Sequence, residues 1–128
     1  MHPTIVIYEY SNMDQALSDL QVFKAEFFRA LSHPVRIRIL EELRDGPRTV
    51  HALQDALGLD QPVVSQQLAV LRAKNLVVAT KSGTSVHYAA RDPLIQDLLV
   101  IARAIFNNHL VDTQAMLTAL TQERERAS

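Results

Sequence analysis

Apolar residues recur three and four positions apart along most of the chain, and the recurrence breaks at a few punctuated points. Leu17, Leu20, Phe23, Phe27 and Leu31 share one helical face and predict a first helix over roughly 14–31, capped by Asn12 or Asp14. Residues 1–13 ahead of it read as an extended or irregular N-terminal arm, with Ile5 to Tyr8 its one apolar run. Ser32-His33-Pro34 is a break and a restart, because proline suits a first helical turn whose N–H has no helical partner. A second helix is expected over roughly 34–44. Val35, Ile37, Ile39, Leu40 and Leu43 form its inward side, with Arg36, Arg38, Glu41 and Glu42 on its wet side. Asp45-Gly46-Pro47 ends it.

Beyond that stop the elements shorten. Arg48-Thr49 is either a short strand or a cap for a helix over 50–57 that turns Leu53 and Leu57 inward. Gly58 supplies a tight turn plugged by Leu59. Asp60 then caps a helix over 61–74 that carries Pro62 in its first turn and Val64, Leu68 and Leu71 as its inward stripe. The β-branched run Leu76 to Thr80, a turn at 81–84 and a returning run Ser85 to Ala89 predict a β-hairpin. Asp92-Pro93 opens a long helix over 93–121, and 122–128 reads as a frayed tail. The expected fold is mainly α with a small β-hairpin wing, in the order α-α-α-α-β-β-α, its winged helix-turn-helix domain spanning 14–121.

The stretch from Thr49 to Asn75 carries the candidate chemistry. Two helices joined by a glycine turn make a helix-turn-helix, whose second helix is able to lie in the major groove of double-stranded DNA. Gln61, Ser65, Gln66 and Gln67 line its exposed side; glutamine pairs bidentately with adenine, and serine serves several bases. Arg72, Lys74 and Lys81 are placed for phosphate, which positions a duplex without specifying its sequence. Ser82 and Thr84, in the wing tip, reach toward adjacent phosphate or the minor groove. Thr49 and His87 are grouped with the same surface, His87 on the DNA side or on solvated surface like His51. Charge sharpens this picture. The net charge is −1, yet Arg29 to Arg91 holds nine basic and five acidic residues, while the two ends together hold four basic and nine acidic ones. A basic centre between acidic ends points to a localised anion-binding face.

Residues 24–91 resemble the ArsR/SmtB family, above all through Phe28-Arg29-Ala30-Leu31-Ser32-His33-Pro34-Val35-Arg36-Ile37-Arg38-Ile39-Leu40 and Leu57-Gly58-Leu59-Asp60-Gln61-Pro62-Val63-Val64-Ser65-Gln66-Gln67-Leu68-Ala69-Val70-Leu71-Arg72. The resemblance implies a homodimeric repressor with its first and last helices at the dimer interface, and places Gln61, Pro62, Val63, Ser65 and Gln66 at the positions that face DNA bases. The last helix supports dimerisation independently. Leu94, Leu98, Leu99, Ile101, Ala102, Ile105, Phe106 and Leu110 make it apolar around much of its surface, more than one small domain covers. Leu17, Leu20 and Phe23 with Leu98, Ile101, Ile105 and Phe106 are the expected dimerisation residues. A two-fold axis there would set two recognition helices about one DNA turn apart, matching an inverted repeat.

The chain departs from the family where many members hold a metal. Thr49-Val50-His51-Ala52-Leu53 stands where relatives carry a cysteine motif, and this chain has no cysteine. On the last helix Asp92 matches a ligand position, but Leu94, Ile105 and Asn108 follow it, which makes no zinc site of the usual kind. A divalent nickel- or cobalt-type site using His2 or His109 is the remaining metal reading, since imidazole suits those ions. A second reading of the whole chain is a protein-interaction module worked by its acidic, apolar ends. Catalysis finds no support, since no nucleophile–base pair, glycine-rich phosphate loop or paired carboxylates occur at meaningful spacing. With no cysteine, no signal-peptide pattern and no run of 18 apolar residues, the chain is expected to be cytoplasmic and to cross no membrane.

Overall fold

A computed structural model describes the backbone of residues 3–127 and the side chains of 13–127. The order is α1 (Pro3–Leu31), α2 (Pro34–Glu42) with a 3-10 turn Leu43–Asp45, α3 (Val50–Leu57), α4 (Gln61–Ala73), β1 (Val77–Ser82), β2 (Ser85–Ala90) and α5 (Leu94–Ala127). This is the winged helix-turn-helix order expected from the sequence.

Four local expectations are corrected. The chain from Pro3 is helical, not an extended arm, and α1 runs unbroken through positions 12 and 14. No glycine or second proline interrupts 4–31, and one polar residue of modest propensity does not stop a helix. At the other end α5 continues to Ala127 instead of fraying after 121, because Gln122 to Arg126 are all strong helix formers. The hairpin is longer and its turn tighter: Lys81 pairs with Val86 and Ser82 with Ser85, leaving Gly83-Thr84 as the whole loop. Gly83 takes φ 62°, the left-handed value that a two-residue hairpin turn with glycine first requires. Finally, Asp60 occupies the N-cap of α4 but its side chain makes no capping bond. Its main-chain carbonyl already accepts from Val63 and Val64 N at 3.1 and 3.2 Å, and Pro62 has no N–H to offer.

The other boundaries follow their local chemistry. His33 caps α2, its Nδ1 accepting from Val35 N at 3.1 Å. Thr49 caps α3, its Oγ1 accepting from Ala52 N at 3.1 Å, so the cap reading of this dipeptide holds, while Arg48 makes one isolated bridge with Tyr88 and no strand. Gly58 ends α3 at φ 67°, with its N–H on Gln54 O at 2.8 Å. That left-handed residue turns the chain sharply enough for α4 to begin three residues later.

The unit spanning residues 1–91 has its core where α2, α3, α4 and β1 meet. Ile39, Leu40, Leu53, Val64, Leu68, Leu71, Leu76 and Val77 are fully buried there. Two polar ties fix the arrangement. Arg38 Nη2 donates to Leu57 O at 3.2 Å, joining α2 to the end of α3, and Arg91 Nη1 donates to Asn75 Oδ1 at 3.3 Å, joining the end of α4 to the end of the hairpin. Asn75 itself is left-handed, φ 61°, which asparagine tolerates better than most residues. Leu53, the α3 residue in this core, is 0% exposed. Leu53→Ala is expected to cost about 2–5 kcal/mol by lost burial and a cavity. Thermal unfolding followed by circular dichroism should show the midpoint fall by roughly 8–20 °C.

The second unit is α5, residues Asp92 onward. Asp92 opens it, Oδ1 accepting from Leu94 N at 2.9 Å. Ile95 is its one buried residue, and beyond Ala102 every described residue is exposed. By length and composition alone α5 is apolar enough to cross a membrane, although it has no unbroken run of 18 apolar residues.

Candidate nucleic-acid interface

The capped α3, the Gly58 turn and the buried stripe of α4 present the remaining surface of α4 to solvent. Buried Val64, Leu68 and Leu71 define the inner face, and the residues about half a turn away from them define the outer one. Gln61, Pro62, Val63 and Gln66 are exposed, and Ser65 is half-buried. Gln61 Nε2 donates to Ser65 Oγ at 3.0 Å, so these two form one polar edge one helical turn long. Gln66 stands next to it and pairs with nothing among the described residues.

Gln67 does not belong to this surface. It is half-buried, with a buried Oε1 that accepts no hydrogen bond among the described residues. The reason is periodicity: Gln67 lies three after Val64 and one before Leu68, on the flank of the inward stripe. Arg72 is exposed with no ion-pair partner among the described residues, whereas exposed Lys74 stands 4.0 Å from Glu26 of α1. Such an exposed pair holds its partners weakly and leaves Lys74 free to exchange it for phosphate.

The hairpin divides the wing residues between two faces. Period two puts Val77, Ala79, Lys81, Val86 and Tyr88 on one face, and Val77 is buried in the core. Thr80, Ser82 and His87 occupy the opposite face, where with Pro47 and Ala89 they line a shallow open groove. His87 is half-buried in it. Lys81, Ser82 and Thr84 are all exposed at the tip. Thr49 is half-buried and its oxygen is engaged in the α3 cap, which makes it a positioning residue for the motif. The structure therefore gathers Gln61, Pro62, Val63, Ser65, Gln66 and Arg72 on one helix, with the wing tip beside them in sequence order, and leaves Thr49, Gln67 and His87 outside that set.

Sequence reasoning missed Tyr88, which lines a groove with Ser65 and Arg72. The signal was available: counting by two from the apolar Val77 through its paired strand brings Tyr88 onto the inward side of the wing.

Among the described residues the histidines build no metal centre. His33 is spent on the α2 cap, and His51 Nε2 faces Asp55 Oδ2 at 3.4 Å on an exposed turn. His109 is exposed on α5, and His2 lies outside the described residues. Among the described residues no three histidine, cysteine or carboxylate side chains converge. The family's ligand sets do not fit either, since α3 offers no thiolate and Asp92 is occupied in opening α5.

The apolar candidates for association stand uncovered. Leu17, Leu20 and Phe23 on α1 are exposed, Phe23 by 72%. On α5 so are Ile101, Ile105 and Phe106, while Leu98 is half-buried.

Comparison with known proteins places this geometry. Residues 33–78, the span from the α2 cap to β1, match the model of the bacterial regulatory protein, arsR family. The HTH-type transcriptional regulator Rv0081 of Mycobacterium tuberculosis is 42% identical over 102 residues, 79% of this chain and 90% of that protein. Its crystal structure superposes with a TM-score of 0.67, covering 73% of this chain and 94% of that one. The HTH-type transcriptional repressor SmtB of the same organism is 43% identical over 79 residues, 62% of this chain and 58% of that protein. A homodimeric winged helix-turn-helix DNA-binding domain from Mycobacterium bovis, solved in solution, is 28% identical with a TM-score of 0.66, covering 73% of this chain and 86% of that one. The chain belongs to the ArsR family of winged helix-turn-helix transcriptional regulators.

Proposed function

We propose that the chain is a homodimeric repressor that binds an inverted-repeat operator, each protomer laying α4 in the major groove and its wing along the flanking backbone. The exposed face of α4 carries this reading. It combines hydrogen-bonding side chains at Gln61, Ser65 and Gln66 with small apolar ones at Pro62 and Val63, a mixture that reads base edges and thymine methyl groups. Arg72, Lys74 and Lys81 then supply the backbone contacts. A second copy covers the apolar faces of α1 and α5, an assembly for which the homodimeric Mycobacterium bovis relative is the model. A membrane crossing by α5 is the poorer use of that surface, because it would bury Arg103, Asn107, Asn108 and Asp112 among lipid tails. Such a protein works in the cytoplasm, where the chromosome is.

Footprinting over the DNA upstream of the protein's own gene tests the proposal. Two protected half-sites are expected, centred about 10 base pairs or a multiple of that apart. Affinity should fall steeply as salt rises, because each neutralised phosphate releases counterions. Failure to shift any such fragment at low salt would favour the protein-interaction reading instead.

A further inference from the structure

A groove runs between α4 and β2, lined by Ser65, Leu68, Ala69, Arg72, Ala73 and Tyr88. Ser65, Ala69 and Arg72 follow one another at four and three residues, so they form a single stripe along α4. Tyr88 faces them from the hairpin. Its main chain is held at both ends of one bridge, Arg48 N to Tyr88 O at 2.9 Å and Tyr88 N to Arg48 O at 2.8 Å. Its ring is half-buried, and among the described residues its hydroxyl has no hydrogen-bond partner. A tyrosine so placed usually finds an acceptor.

The polar groups of this groove are all donors toward an incoming ligand. Arg72 has no carboxylate partner among the described residues. Ser65 Oγ accepts from Gln61, which leaves its own proton to give. No acidic side chain lines the wall, and Leu68, Ala69 and Ala73 make the rest of it small and apolar. A guanidinium and two hydroxyls over an apolar floor suit an anion carried on an apolar frame, which describes a phosphodiester and its sugars.

We propose that this groove seats one backbone phosphate of each operator half-site, Arg72 supplying the charge and the Tyr88 hydroxyl a neutral hydrogen bond that fixes the phosphate against α4. The proposal rests on the reading that α4 enters the major groove. Tyr88 then couples the wing to the recognition helix through the DNA itself, because its own backbone is tied to the loop that caps α3.

Tyr88→Phe tests it, since phenylalanine keeps the ring and its packing. Affinity for the operator and for an unrelated duplex should fall alike, by about tenfold, the worth of one hydrogen bond to a charged group. The salt dependence should stay that of wild type, whereas Arg72→Ala should flatten the slope by about one. Ethylation interference should lose the same phosphate in both variants. Wild-type affinity and an unchanged interference pattern for Tyr88→Phe would overturn the proposal, as would a defect seen on the operator alone. Wild-type protein that binds no duplex at all would instead sink the reading of α4, so the two failures are distinguishable.

Discussion

Replacing Ile101 and Ile105 together with glutamate is expected to yield a folded monomer that has lost its operator. The two residues lie one helical turn apart on α5 and are 57% and 62% exposed within a single chain. Carboxylates at these positions therefore meet water in the isolated protomer, and glutamate is among the better helix formers. In a two-fold dimer the same substitutions place four carboxylates in an apolar interface, where each loses its hydration without gaining a cation. Sedimentation equilibrium should show the monomer, and circular dichroism should show helix content like that of wild type. Operator affinity should drop by about 10²-fold or more, because binding of the second half-site is no longer intramolecular. Affinity for an isolated half-site should change little. A variant that remains dimeric and binds as wild type would show that the apolar face of α5 serves something other than association with a second copy.

Ile101 and Ile105, expected from the sequence at a dimer interface, stand exposed in the single chain, and other positions show more sharply what a sequence reveals and where it stops. The capped segments were legible because their chemistry is local. Proline at 34, threonine at 49 and glycine at 58 each satisfy or release a particular backbone group, and the helices begin and end there. The stripe Val64, Leu68, Leu71 was legible because period 3.6 does not depend on what lies opposite. Asn12 and Asp14 misled because a capping residue only permits a helix start; with no breaker upstream, α1 continued through them to Pro3. The wing boundary slipped because Lys81 and Ser82 are turn-like by composition, and only pairing with Val86 and Ser85 decides that they are strand. Gln67 and Tyr88 mark the remaining limit. Both are polar residues at the edge of an apolar stripe, and whether such a residue faces solvent, core or a groove depends on the packing of α4 against its neighbours.

Gln66 puts the base-reading half of the proposed function to its sharpest test. It is exposed on the outer face of α4 and free of protein partners among the described residues, so its amide is available with both a donor and an acceptor. That pairing matches the N6 and N7 edge of adenine. Gln66→Ala is expected to weaken operator binding by about 1–3 kcal/mol and to relax base preference at one position in each half-site. Binding to unrelated duplex should hardly change, because no phosphate contact is lost. Two neighbours sharpen the comparison. Arg72→Ala should weaken every duplex alike, since a phosphate contact carries no sequence information. Gln67→Ala should act on the melting temperature and leave preference alone, since its side chain is half-buried beside Leu68. Anisotropy titrations against operators substituted base by base separate these three outcomes. If Gln66→Ala keeps both the affinity and the preference of wild type, the recognition face lies elsewhere on α4.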